Sequence, residues 1–240
     1  MDFIIWLLIL FLLFYEPIIG YFDFQRFKQK VKTDKNARMK YYNNAIIGLW
    51  VPTIIIILLI VFTELTFKEI GFTIPMINTE PLGKWVTFLG LGIGLLYLFF
   101  VLYYIIGFKF SNKIKRELSI KKKEEWEKSV ISPLLPVSDK EKKRWNYVSL
   151  TAGLTEEVIY RGFTVFALAY LYPNLSIWAI ILLSSLIFGL AHTYQGFFMG
   201  FLRTTIFAIL FCIIFIGMGS IIPLIILHFL VDYIAKLGDE

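Results

Sequence analysis

Long apolar stretches separated by shorter polar segments dominate this sequence. Each stretch approaches the roughly 20 apolar residues that a helix needs to cross a bilayer. The pattern therefore predicts an all-α fold, a polytopic transmembrane helix bundle of about seven spans. The predicted spans cover residues 3–22, 44–63, 86–108, 147–172, 176–194, 196–217 and 220–237.

Basic residues gather in some of the polar segments and avoid others. The loops 23–44 and 109–145 are rich in Lys and Arg, whereas the loop 63–85 between them holds only Lys68 and Lys84. Cytoplasmic loops of membrane proteins are enriched in Lys and Arg. We therefore expect both basic loops and the C-terminus in the cytoplasm, and the N-terminus outside.

The composition agrees with a membrane protein and argues against a soluble domain, a nucleic-acid-binding protein and a disulfide-bonded protein. Hydrophobic residues make up 58% of the chain and the mean hydropathy is +0.72, against an apolar fraction of about 45–50% in ordinary domains. The formal net charge of +6 comes from the basic loops. It indicates no nucleic-acid partner, and the expected surroundings are the lipid bilayer. Cys212 is the only cysteine, which excludes an intrachain disulfide.

The fourth predicted span contains ionisable residues that a membrane helix rarely carries. Its run EEVIYR places Glu156, Glu157 and Arg161 close together. An ionisable side chain at bilayer depth costs at least ~2.5 kcal/mol even on lenient scales. Glu157 and Arg161 are spaced i,i+4 with the acid first, the favourable orientation for an ion pair on a helix. We therefore expect this run to have a function.

The other unusual ionisable residues are expected at a similar depth. The two histidines of the chain, His192 and His228, lie towards the cytoplasmic ends of the fifth and seventh predicted spans. Arg203 lies near the start of the sixth, and Asp232 follows His228 at i,i+4. With the predicted topology, these residues and Glu156 fall on the same side of the membrane. Their common depth predicts a single polar site.

A glutamate, two histidines and an aspartate can together form a site that activates water. A desolvated Glu can act as general base and then as general acid. Histidines can polarise the water, stabilise an oxyanion or bind Zn²⁺, and Asp232 can orient His228. The alternative is a structural polar network that ties four helices together. Spacing alone leaves both interpretations open.

Two polar features lie outside this site. Glu16 lies near the end of the first span, and because Asp23 and Arg26 follow it, we interpret it as an interfacial carboxylate. The segment 113–128 is expected to be helical, since its mixed charges favour i,i+4 pairs. We interpret it as a solvated connector. The alternative is a surface helix that Trp126 and the lysines hold against anionic headgroups.

Three motifs in the second half of the chain resemble those of a known family. They are EExxxR at 156–161, FxxxH at 188–192, and the pair His228 and Asp232, and the segment 219–223 is also similar. The family is that of the CAAX proteases and bacteriocin-processing proteins, also called the abortive-infection family, which includes the type II CAAX prenyl endopeptidases. The resemblance covers about residues 145–236. It divides the chain into N-terminal spans with basic cytoplasmic loops (1–145) and a catalytic helical core (146–240).

The resemblance implies a role for each motif residue. Glu156 and His192 would activate the attacking water, and Glu157 and Arg161 would form a supporting ion pair. His228, with Asp232, would stabilise the oxyanion. The prenyl endopeptidases carry Asn where this chain has Asp232. A carboxylate accepts hydrogen bonds but does not donate them, so Asp232 is expected to orient His228 or to ligate a metal.

The cofactor prediction has two forms, since the motifs suit both a metalloprotease and a metal-free, glutamate-type protease. If a metal is used, Zn²⁺ is the candidate and its ligands would come from Glu156, His192, His228 and Asp232. Arg203 could bind the C-terminal carboxylate of a substrate bidentately. It could equally be a structural partner of Glu156 or Asp232.

The sequence predicts an intramembrane endopeptidase in the cell membrane of a prokaryote. Its partner would be a membrane-anchored peptide or protein substrate, cleaved near the cytoplasmic face. The alternative is a non-catalytic scaffold that regulates a partner membrane protein, in bacteriocin immunity or in control of a sensor kinase. The complete motif set favours the enzyme, because a scaffold has no chemical need for Glu156 and both histidines.

Overall fold

The computed structural model describes residues 1–126 and 129–238, and within these ranges the regular structure is helical, with no strand. The helices in chain order are α1 (Asp2–Lys30), α2 (Ala37–Phe62), α3 (Lys84–Phe110), α4 (Asn112–Lys121), α5 (139–171), α6 (Ile177–Ala191), α7 (Phe197–Met218) and α8 (Ile222–Ile234). The helix α4 continues as a π-helical turn, Lys122–Trp126. The helix α5 is unbroken from an α-helical first part through a π-helical middle to an α-helical end.

Within the described ranges, four helices are long and apolar enough to cross a membrane, namely α1, α2, α3 and α7. The helices α6 and α8 are apolar but shorter, and α5 begins with a charged segment. This architecture fits an integral membrane protein and confirms the all-α prediction. The count of about seven spans stays a prediction, as do the topology and the division at residue 145.

The two basic segments between the predicted spans are largely helical, as the sequence predicted for 113–128. The extension of the neighbouring span helices into these segments corrects the sequence interpretation. In the first, α1 continues to Lys30 and α2 already begins at Ala37. In the second, α4 and the start of α5 lie inside the loop. Hydropathy marks where a helix leaves the apolar layer, whereas the helix itself ends where its backbone is capped.

The start of α5 shows such a cap well outside the apolar stretch. The Ser138 side chain accepts a hydrogen bond from the Glu141 N–H at 3.3 Å, and the Glu141 carboxylate accepts one from the Ser138 N–H at 2.8 Å. This reciprocal pair is a capping box. The predicted helix at 113–128 is present up to Trp126, but the Trp126 side chain lies outside the described residues, so its contact with headgroups stays a prediction.

The helix α5 has a central place in the bundle. It packs against α2 and α8, while α6 packs against α7 and against the middle of α1. The helices α1, α5 and α7 each contain a π-helical stretch, and those stretches are Phe11–Gly20, Glu157–Phe163 and Phe197–Leu202. A π-helical turn is rare and often occurs at a functional site. In α5 it coincides with the EExxxR motif.

Candidate active site

Glu156 and the two histidines meet between three helices. Glu156 lies at the end of the first α-helical part of α5, His192 directly follows α6, and His228 lies in α8. The Glu156 Oε2 atom is 3.9 Å from His192 Nε2 and 3.8 Å from His228 Nε2. These distances are too long for hydrogen bonds. The Oε2 atom is buried and has no hydrogen-bond partner in the described part of the chain.

Two glycines allow this close approach. A Cβ atom on Gly153, one turn before Glu156 in α5, would lie 2.9 Å from the backbone nitrogen of Phe229 in α8. A Cβ atom on Gly200 would overlap the backbone oxygen of His192. In both places the backbones touch where real Cβ atoms have no room, as small residues permit in membrane helices. The first contact brings α8, which carries His228, close to α5, and the second places the backbone of His192 against α7.

Glu157, which is fully buried, is the centre of a second group of side chains. Its Oε1 atom accepts hydrogen bonds from Arg161 Nη1 at 3.0 Å and from His228 Nδ1 at 2.7 Å. The guanidinium group of Arg161 lies 4.3 Å from the ring centroid of Phe188 and 5.1 Å from that of Phe211. Two aromatic faces thus add cation–π contacts to the ion pair. The predicted pair of Glu157 and Arg161 is present, and it also holds His228.

The i,i+4 spacing of His228 and Asp232 predicted that Asp232 orients the His228 ring. The structure corrects this prediction, because the carboxylate hydrogen-bonded to His228 is that of Glu157. The Asp232 Oδ2 atom is 3.8 Å from His228 Nε2, beyond hydrogen-bond distance. The Asp232 carboxylate is partly exposed, at 34%, and its backbone oxygen accepts a hydrogen bond from Trp145 Nε1 at 2.9 Å. Sequence spacing could not reveal the Glu157 contact, because the partners are 71 positions apart.

The orientation of His192 is fixed by its own helix. Its Nδ1 atom is 2.9 Å from the backbone oxygen of Phe188. A carbonyl oxygen only accepts, so Nδ1 carries the proton and a neutral ring leaves Nε2 as an acceptor. The Nε2 atom is the one that faces Glu156. The FxxxH motif thus supplies a turn that aims the imidazole lone pair at the glutamate.

Two cavities reach this group of residues. The first, of about 300 Å³, is lined by Glu156, His192 and His228, among others. The second, of about 240 Å³, shares both histidines and extends between α3 and α7, where Tyr97 and Phe207 line it. Both cavities are also lined by Asp232, Arg203 and Gln195. The structure thus brings Glu156, both histidines, Asp232 and Arg203 to one accessible space, whereas Glu157 lines neither cavity.

Arg203 lies where the two cavities meet. Its side chain is exposed, and among the ion pairs of the described residues none joins it to Glu156 or to Asp232. The structural pairing considered from the sequence is thus not observed. The guanidinium group remains available to a ligand in either cavity.

Glu16 differs from its sequence interpretation as an interfacial carboxylate. It is half-buried in the π-helical part of α1 and lines the first cavity together with Glu156. The only signal in the sequence is the presence of an acid inside an apolar run. The packing of α1 against α6, which turns this acid towards the site, is not visible in that pattern.

The metal prediction finds no support in the side-chain arrangement. Across residues 1–126 and 129–238, no group of three or more His, Cys, Asp or Glu residues is placed to hold a metal ion. Glu156 Oε2 and Asp232 Oδ2 each lie 3.8 Å from His228 Nε2, but the three residues do not form a group that could hold one metal ion. We therefore derive no step through a metal, and Zn²⁺ stays a prediction that an experiment must test.

Comparison with known proteins matches the region that carries the motifs. Residues 144–234 match the family model described as type II CAAX prenyl endopeptidase Rce1-like. No curated protein and no solved structure matches the chain. The match confirms the resemblance recognised from the three motifs, and the matched family is one of proteases.

Proposed function

Because residues 144–234 match the Rce1-like family of type II CAAX prenyl endopeptidases, we propose that this protein is an intramembrane endopeptidase. It cleaves a membrane-anchored peptide or protein near the cytoplasmic face. The observation that carries the proposal is the buried Oε2 atom of Glu156, which has no hydrogen-bond partner in the described chain and faces two imidazole nitrogens. An unpaired acceptor in such a place is costly unless it has a ligand to bind.

Glu156 and His192 activate the attacking water. Their facing atoms, Oε2 and Nε2, are 3.9 Å apart, a separation that one bridging water can span. Both atoms accept hydrogen bonds, so the water directs its two protons to them and its lone pair to the substrate carbonyl. As the water oxygen bonds to the carbonyl carbon, Glu156 takes one proton as general base.

His228 stabilises the oxyanion that forms on the carbonyl. Glu157 accepts the Nδ1–H of His228, and the protonated ring then presents Nε2–H towards the space beside Glu156. A preorganised donor of this kind stabilises the developing charge without reorganisation during the reaction. Arg161 holds Glu157 in place from the other side. Glu156 finally gives its proton to the leaving amine, which breaks the C–N bond and regenerates the carboxylate.

In this proposal, substrates reach Glu156 through the cavities, and one of these routes starts at the lipid bilayer. The second cavity lies between α3 and α7, two of the helices long enough to span a membrane. A membrane-anchored chain can therefore approach from the lipid side. Arg203, where the cavities meet, binds the C-terminal carboxylate of the substrate as a bidentate partner.

A comparison of membrane peptidomes tests the proposal. Cells with the wild-type protein are compared with cells that carry Glu156→Gln, which keeps the size of the side chain and removes its basicity. Glu80→Gln is the matched control, because Glu80 is exposed in the loop between α2 and α3. Products found with the wild type and the control, but not with Glu156→Gln, support the protease. Identical peptidomes in all three strains would favour the non-catalytic scaffold.

A further inference from the structure

The carboxylate of Glu16 lines the first cavity, and the proposed mechanism does not use it. A carboxylate at membrane depth is expensive, yet among the described residues it has neither an ion pair nor a hydrogen bond. Its Oε2 atom would be 3.7 Å from a Cβ atom on Gly20, which also lines the cavity. The side chain thus runs along α1 towards its C-terminal end and stays at the cavity wall.

Two carboxylates, those of Glu16 and Glu156, line the first cavity alone, whereas His192, His228, Asp232 and Arg203 line both cavities. The first cavity therefore has a part shared with the second, which contains Arg203, and a part of its own, which contains the two glutamates. A peptide segment that crosses the first cavity meets opposite charges in these two parts.

The walls beside Glu16 are aromatic. Tyr41 and Tyr194 line the same cavity, and the π-helical segment that carries Glu16 contacts the segment that carries Tyr194. Phe24, further along α1, holds both rings, with centroid distances of 6.3 Å to Tyr41 and 5.0 Å to Tyr194. An acid that shares a cavity wall with aromatic rings is a setting that attracts an organic cation, through charge and through cation–π contacts.

We propose that Glu16, with Tyr41 and Tyr194, forms a subsite for a basic side chain of the substrate. Lysine and arginine carry their charge at the end of an apolar stem, so such a side chain can cross the aromatic wall and place its cation at Glu16. The subsite fixes which peptide bond lies at Glu156. This inference deepens the proposed function and rests on it for the role of the bound peptide.

Acyl-anchored, fluorescence-quenched peptides test the subsite with the full-length protein in nanodiscs. A single Lys is moved residue by residue along an uncharged sequence, and each peptide has a partner with norleucine, an uncharged side chain of similar length, at the same position. The wild type should prefer Lys about 10-fold at one position, through a lower KM with similar kcat. Glu16→Gln should bring the ratio of Lys to norleucine to about one.

Two further variants make the result specific. Asp23→Asn removes an exposed acid of the same helix, which pairs with Arg26 outside the cavity, and should keep the Lys preference. Glu16→Lys should reverse it and favour a Glu peptide at the same position. A wild type without preference, or a Glu16→Gln variant that keeps it, would overturn the subsite. So would an equal fall of kcat for all peptides, which would assign Glu16 to proton transfer.

A binding measurement separates the subsite from the proposed function. If no peptide is cleaved, the affinity of the same Lys and norleucine peptides for Glu156→Gln is measured by fluorescence anisotropy. A Lys preference that Glu16→Gln removes in this background would keep the subsite while the protease proposal fails. Equal affinities in that assay would overturn the subsite whether or not the wild type cleaves other peptides.

Discussion

At the scale of single residues, the fully buried Glu157 connects Arg161 to His228, the residue proposed to stabilise the oxyanion. It accepts hydrogen bonds from both Arg161 and His228, so its charge is compensated from two sides. The removal of one member of such a buried pair leaves an uncompensated charge. The same change frees the ring of His228, so variants at Glu157 should affect both folding and chemistry.

A double-mutant cycle tests the pair of Glu157 and Arg161. Each single change to Ala should lower the free energy of unfolding by about 3–5 kcal/mol. The double variant should be less destabilised than the sum of the two, because it leaves no isolated charge. Thermal or denaturant unfolding in detergent measures the three variants. Strict additivity would show that the two side chains do not interact.

We expect His192 to matter more for activity than Asp232. His192→Ala removes an acceptor for the attacking water and should lower kcat about 10²–10⁴-fold, the usual contribution of general acid–base groups. Asp232→Asn should retain measurable cleavage, because the hydrogen-bonded carboxylate of His228 is Glu157. The kcat values of the two purified variants are the measurement, and a more active His192→Ala would contradict the assignment.

The same Asn variant tests the metal prediction. In a metal-free site its activity is unchanged by a chelator or by added Zn²⁺. If Asp232 is a metal ligand, the loss of its charge should cost about 10-fold or more in metal affinity. If the variant loses activity and added Zn²⁺ restores it, the metal-free mechanism proposed above is wrong.

At the scale of the helices, close backbone contacts set the position of the histidines. Gly200 in α7 touches the carbonyl of His192. Gly200→Ala should displace His192 and lower kcat at least 10-fold, since misplacement by about 1 Å can cost 10²-fold. Gly92→Ala in α3 is the control, because a Cβ atom there meets nothing within 4 Å. Equal activity of both variants would show that the contact does not position His192.

The helices themselves could be predicted from the sequence, but the ends that extend into the basic segments could not. Apolar run length is a property of each segment alone, and it located α1, α2, α3 and α7. The end of α1 at Lys30 and the start of α5 after Ser138 depend on caps and on charged turns that extend beyond the apolar layer. Hydropathy carries no information on these features.

The sequence could predict those contacts of the site that join residues close together in one helix. The ion pair of Glu157 and Arg161 follows from spacing within one helix. The bond between Glu157 and His228 and the place of Glu16 in the cavity depend on how distant helices pack. A single sequence contains no signal for such contacts.

At the scale of the whole molecule, the membrane orientation remains the main prediction. Lys123 and Lys84 are exposed in regions predicted to lie on opposite sides, and Cys212 is buried, so Cys212→Ala provides a cysteine-free background. Lys84→Cys should react with an impermeant maleimide on intact cells. Lys123→Cys should react only after permeabilisation, because the basic segments are predicted to face the cytoplasm. Labelling of Lys123→Cys from outside would reverse the topology and the proposed cytoplasmic site.

The turnover of purified Glu156→Gln tests the central claim most directly. The substrate is the one that the peptidome comparison identifies, and the thermal unfolding midpoint is measured on the same sample. The account predicts a loss of at least about 10²-fold in kcat with a midpoint close to that of the wild type, since the amide keeps the shape of the side chain. Near-normal turnover by the folded variant would contradict the role of Glu156 as the general base.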